Sequence, residues 1–179
     1  MRSAAGGMFG GPSRAPRRLG WAGLLAAGLW AACAASGCGH EPAEPAVEIN
    51  GTRWTVELST TRSQRYQGLS DRRSVAAGHG MLFVYPDAAE RHFVMRRCHV
   101  QLDIAFIGPD LRVLNTATML VETDPRAFAR GGRTYDSDGA AQYVLEVRGG
   151  ALQDAGVRPG DRVRLLGPIP DATKAEPGL

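Results

Sequence analysis

Seven short runs of strand length, set against only two short helical stretches, leave this 179-residue chain few folds beyond a β-rich one. Trp54, Val56 and Leu58 alternate with Thr55, Glu57 and Ser59, the period-two pattern of a half-buried strand. Met81–Tyr85 (MLFVY) is a continuous apolar run ended by Pro86-Asp87. Phe93–Met95 follows, then Val100–Ile107, in which Leu102, Ile104 and Phe106 share one face. Gly108-Pro109-Asp110 turns the chain into Arg112–Met119, and the last two runs are Gln142–Val147 and Arg162–Leu166. Thr60 or Thr61 can cap a short helix reaching Tyr66 and Gln67, with Gly68 at its stop; Gly149–Ala155 makes a helical turn or two, ended by Gly156. The pattern predicts a small, mainly antiparallel barrel or sandwich with two short helices. Gly68 and Gly80 are expected to supply backbone freedom at positive φ. Residues 124–141 form the one long connection without periodicity, a kind of segment that often carries function.

Charge is distributed unevenly. Four of the 21 basic residues (Arg2, Arg14, Arg17, Arg18) precede Cys38 in a stretch without acids, which leaves 17 basic against 18 acidic residues beyond it. The remainder is close to neutral at a formal −1, so no basic footprint for nucleic acid survives. The leader itself reads as a secretory signal. An apolar run from Gly20 to Ala35 is slightly short for a bilayer span and is followed by the small residues Ala35, Ser36 and Gly37. Ala-Ser-Gly-Cys resembles the lipobox of bacterial lipoproteins, which implies acylation of Cys38, although Ala35 stands where Leu is usual. The expected organisation is a lipoprotein signal peptide over 1–37, a Pro/Glu-rich tether over 38–47, a folded domain over 48–167 and a polar tail over 168–179. Two or more acyl chains would hold the protein stably at a membrane. With Gly39 rather than Asp after the cysteine, the periplasmic face of the outer membrane is the expected location.

Three blocks of the domain resemble the domain of unknown function 192 family. R65-Y-Q-G-L-S-D-R72 followed by G80-M-L-F-V-Y85 is similar to its "R-x-x-G-L-x-x-R … G-M-L-F-x-F" signature. F93-V-M-R-R-C-H-V-Q-L-D-I-A-F106 resembles its "F-W-M-K-N-T-x-I-P-L-D-I-x-F" core, and Y143-V-L-E-V147 with G160-D161 its closing stretch. The resemblance implies a compact, mostly β, barrel-like domain, often exported, of unsettled activity. Where the family commonly shows Trp, Asn, Thr and Pro, this chain has Val94, Arg97, Cys98 and Gln101.

Candidate site residues are few. Asp103 lies in a strand opposite to the apolar side, either as a buried strut or facing a cavity with an arginine partner such as Arg65, Arg72 or Arg96. Glu146 presents the same two alternatives, and two carboxylates on facing strands could serve as acid and base. Met95, Arg96, Asp103, Arg65 and Glu146 are therefore the candidate ligand-binding set. Cys98 is the only thiol left once Cys33 goes with the leader and Cys38 is acylated. It is a small core residue, a soft-metal ligand or a nucleophile. Met81, His92, Met95, Cys98 and His99 are the candidate ligands of the metal reading, which would be copper. Arg130-Gly131-Gly132-Arg133 could form an anion nest. No phosphate loop, dinucleotide fingerprint, CxxC pair or nucleophile elbow occurs. The leading reading is thus a cofactor-free envelope domain binding a small polar ligand, a glycan or a protein partner. Copper binding is the alternative, and a small thiol-dependent hydrolase ranks third.

Overall fold

The computed structural model describes residues 44–177 except 125, 128 and 129. The leader and Cys38 lie outside them, and no helix among the described residues is long and apolar enough to cross a membrane. Nine strands form: β1 (Ala46–Ile49), β2 (Thr52–Ser59), β3 (His79–Ala89), β4 (His92–Phe93), β5 (Leu102–Ile107), β6 (Val113–Met119), β7 (Tyr135–Asp136), β8 (Ala141–Arg148) and β9 (Val163–Leu166). Two helices, α1 (Arg62–Gln67) and α2 (Ala151–Asp154), and a 3-10 turn at Ala172–Lys174 accompany them among the described residues. Seven strands build one curled sheet in the order β6-β5-β8-β3-β2-β1-β9, while β4 and β7 pair separately. The two edges of the large sheet meet at one end, where Arg112 bridges to Arg162 and the Val113 amide donates to the Asp161 carbonyl at 3.0 Å. The mainly β, half-barrel architecture is the one the strand runs predict.

Local rules explain most elements. Thr61 caps α1 by accepting from the Gln64 amide, and the Gln64 side chain returns to the Thr61 amide at 3.0 Å, a complete capping box. Gly68 ends the helix at φ +49°. Asn50-Gly51, both at positive φ, make the two-residue turn that pairs Ile49 with Thr52. Gly80 corrects the expectation of positive φ. Its φ is ordinary, but a Cβ there would fall 2.4 Å from the Glu146 carbonyl oxygen, so glycine is needed for the close approach of β3 to β8.

Two boundaries differ from expectation, and one strand pair within the mainly antiparallel sheet is parallel. The tether ends sooner, because Ala46 and Val47 are fully buried in β1. One pair, β2 with β3, is parallel, joined by a crossover through α1 and residues 68–78. The tail over 168–179 is partly a packed element: Ala172 and Ala175 are buried against the core, and the Glu176 amide donates to the Thr60 carbonyl at 3.0 Å.

Two apolar clusters lie on opposite faces of the sheet. Inside the curl, Val47, Trp54, Leu82, Val84, Ala105, Leu145 and Val163 pack together with Leu152 of α2. On the other face, Met81, Phe83, Ile104, Phe106 and Val144 are covered by Leu69, Met95 and Cys98. Every residue of β5 is buried because both of its faces are covered.

Candidate functional site

The second face carries a cleft. Its floor is β3 and β8; one wall is α1 with Gly68–Ser70, and the other is the segment from Glu90 to Cys98. Phe93 holds that segment against the sheet by edge-on contacts with Phe83 (5.1 Å) and Phe106 (5.7 Å). The cleft encloses about 430 Å³, within the range of small-molecule sites. A second depression of about 550 Å³ lies at Glu48, Asn50, Asp110, Arg112 and Arg162, but of its lining residues only Val163 is buried.

Glu146 forms the polar point of the cleft floor. Antiparallel register places it between Met81 of β3 and Ile104 of β5, in the middle of an apolar face. Its residue exposure is 5%, and its carboxyl has no hydrogen-bond partner among the described residues. Burial pushes its pKa up to about 8.

Three arginines that line the cleft bind other groups. Arg65 donates to the carbonyls of Thr60, Val84, Glu176 and Pro177 at 2.6–3.0 Å. Arg91 donates to the carbonyls of Asp87 and Ala141, pairs with the Asp87 carboxylate at 3.2 Å, and stacks 3.9 Å over Tyr85. Arg96 stacks 3.9 Å over Tyr66 and donates to the Tyr66 carbonyl at 2.6 Å. Burial pushes the Tyr85 phenol up to about 12.

Of the five candidate ligand-binding residues, Arg65, Arg96 and Glu146 come together here, while Met95 and Asp103 do not. Met95 is buried beneath a different depression beside Leu120–Thr123, Arg133 and Tyr135. Asp103 has none of the expected arginine partners. It faces the inside of the curl, accepting from the Thr118 hydroxyl at 2.9 Å and from the Leu152 amide at 3.0 Å, so it caps α2 from a neighbouring strand. The register pairs Asp103 with Val147 and Ile104 with Glu146. The two carboxyls therefore lie on opposite faces of the sheet and cannot act as an acid–base pair.

Of the residues proposed for copper, Met81, Met95 and Cys98 share one apolar cluster, while the two histidines lie outside it. Met81 and Cys98 are buried, His99 is exposed, and His92 at the cleft edge binds Asp136 through Nδ1 at 2.6 Å. Among the described residues no three His, Cys, Asp or Glu side chains are grouped to hold a metal. Arg130 of the suggested anion nest is paired with Asp124. Cys98 lines the cleft, but burial, reinforced by Glu146, pushes its thiol up to about 11, which opposes nucleophilic activation. Alkylation of Cys98 by iodoacetamide at pH 8 is expected to run about a hundredfold slower in the folded protein than in urea. Equal rates would show an accessible, unperturbed thiol.

Tyr66, Tyr85, Arg91 and Phe93 belong to the cleft without having been candidates from sequence. For Tyr85 the signal was present, since Met81, Phe83 and Tyr85 alternate on one face. Arg97 and Asp71 occupy the left-handed region (φ 56° and 66°) and pair through their side chains, so Arg97 turns outward. The asparagine that the resemblance places at this position suits the same backbone conformation.

Comparison with known proteins agrees with this architecture. The family model of DUF192, described as an uncharacterized ACR, matches residues 45–165. A solved protein of unknown function from Novosphingobium aromaticivorans DSM 12444 is 31% identical, with a TM-score of 0.59 over 66% of this chain and 83% of that one. A Sinorhizobium meliloti 1021 protein described as a "putative transcription regulator" is 29% identical, with a TM-score of 0.58 over 68% of this chain and 91% of that one. No curated protein matches the chain. The family match spans the whole β domain, cleft included, and the chain belongs to the DUF192 family.

Proposed function

We propose that the domain is a binding module rather than an enzyme, and that it holds a small polar ligand in the cleft over Glu146. One observation carries this reading: a carboxyl buried on an apolar face, open to a cavity and without a hydrogen-bond partner among the described residues. Such a group is costly to keep unless something from outside satisfies it. Catalysis is the poorer fit, because the cleft thiol is pushed away from reactivity and the second buried carboxyl lies across the sheet. The leader and Cys38 support a lipid anchor that displays the module at the envelope, on the periplasmic face of the outer membrane.

The test is a thermal-shift screen of small polar compounds on the full-length protein in detergent. A ligand at about a hundred times its Kd adds roughly 2.7 kcal/mol of stability. That gain is expected to vanish in Glu146→Gln. Hits that stabilise the variant equally, or no hits at all, would overturn the cleft reading. For the anchor, Cys38→Ser is expected to move the protein from the membrane to the soluble fraction, and unchanged partitioning would contradict lipidation.

A further inference from the structure

We propose that the cleft takes an amphoteric ligand: a protonated amine against Glu146, an apolar spacer, and an anionic group meeting Arg96 at the mouth. This proposal rests on the binding reading above and specifies its ligand class. It follows from the way charge is layered through the cleft.

At the floor, the Glu146 carboxyl has no hydrogen-bond or ion-pair partner among the described residues, and burial pushes its pKa up. The neighbouring cations are engaged elsewhere, Arg65 with four backbone carbonyls and Arg91 with two carbonyls and Asp87. A buried carboxyl gains most from a charged donor, and an ammonium supplies both the charge and the hydrogen bonds. Leu69, Phe83 and Phe93 give the cleft an apolar and aromatic stretch against which the middle of a ligand can lie.

At the mouth the polarity reverses. Arg96 is fixed by its stacking on Tyr66 and by one hydrogen bond, and it has no carboxylate partner among the described residues. Its neighbour Arg97, by contrast, is paired with Asp71. A planar guanidinium with free N–H groups at a pocket entrance is suited to a carboxylate or phosphate. A simple cation leaves Arg96 unpaired, and a simple anion leaves Glu146 unpaired. A ligand carrying both charges satisfies each end.

The test uses calorimetric titration of the full-length protein with four probes of matched length: ε-aminocaproate, hexylamine, hexanoate and hexanediol. ε-Aminocaproate is expected to bind roughly tenfold or more tightly than hexylamine or hexanoate. Glu146→Gln is expected to weaken both amines by a similar factor. Arg96→Gln should reduce ε-aminocaproate to the affinity of hexylamine while leaving hexylamine unchanged. The Arg96 variant leaves the core untouched, so this arm stands even if Glu146→Gln folds poorly. Hexanoate binding as tightly as ε-aminocaproate would overturn the proposal, as would amine affinity indifferent to Glu146. Glu146-dependent binding of hexanediol without preference for the amines would overturn the amphoteric ligand yet preserve the binding module. If none of the four binds, the proposal fails, and the wider screen then decides the fate of the cleft itself.

Discussion

Glu146→Gln is expected to remove a large pH dependence of stability. The folded-state pKa of about 8 lies above the ordinary value of 4.5, so between these two the native state retains a proton that the unfolded state releases. Stability therefore falls as pH rises through that window, and it levels off above about 8. Below about 4.5 both states hold the proton, so stability is at its full value and no longer depends on pH through this group. At roughly 1.4 kcal/mol per unit, the wild type is expected to lose about 5 kcal/mol relative to the glutamine variant across this interval. Glu57, Asp71, Asp161 and Asp171 act with the opposite sign, because hydrogen-bonded partners hold their pKa values low. Their contribution is present above their unfolded values and is lost as pH falls through the folded ones. Both proteins share them, so they cancel in the difference. Urea titrations of the two proteins at several pH values between 4.5 and 9 measure the effect, and parallel curves would mean that Glu146 is not held in a dry site. Such a penalty in the empty state is what the proposed binding role would relieve, which links this result to the proposed function.

Asp103→Ala is expected to destabilise the domain by about 3 kcal/mol or more. The substitution deletes two hydrogen bonds to a carboxylate and leaves the Leu152 amide buried without an acceptor. Asp103→Asn keeps the shape and an acceptor oxygen, so it is expected to restore a good part of the loss. Chemical denaturation measures both, and hydrogen exchange at the Leu152 amide should quicken selectively in the alanine variant. Asp103 lies on the other face from the cleft, so probe binding by the folded fraction should be unchanged. Loss of binding with stability intact would place Asp103 in the site after all.

Much of the fold was legible from local chemistry. The alternation in β2, the apolar run of β3, the Thr61 cap and the Gly68 stop each depend on residues close in sequence, and each appears where expected. β1 was obscured by the Pro/Glu-rich tether before it, although Asn50-Gly51 is a strong hairpin signal. The packed tail had no periodic signal, since two small alanines reach the core from an irregular segment. The role of Gly80 was likewise out of reach, because it depends on a carbonyl oxygen of a strand more than sixty residues away.

The two carboxyls show where sequence stops. Period-two alternation put Asp103 opposite Leu102, Ile104 and Phe106, and it marked Glu146 as a charged residue in an apolar strand. From the sequence alone they were equivalent candidates. A strand's own pattern assigns its residues to two faces, but the register with its neighbours decides which residues share a face, and the covering elements decide what that face meets. The pairing of Ile104 with Glu146 sends Asp103 inward to cap a helix and Glu146 outward beneath α1 and the Glu90–Cys98 segment. Sequence by itself determined the strands, the turns and the kind of domain. Tertiary structure alone separated the hydrogen-bonded strut from the unpartnered carboxyl, because burial without a partner is a property of the assembled surroundings rather than of any one residue.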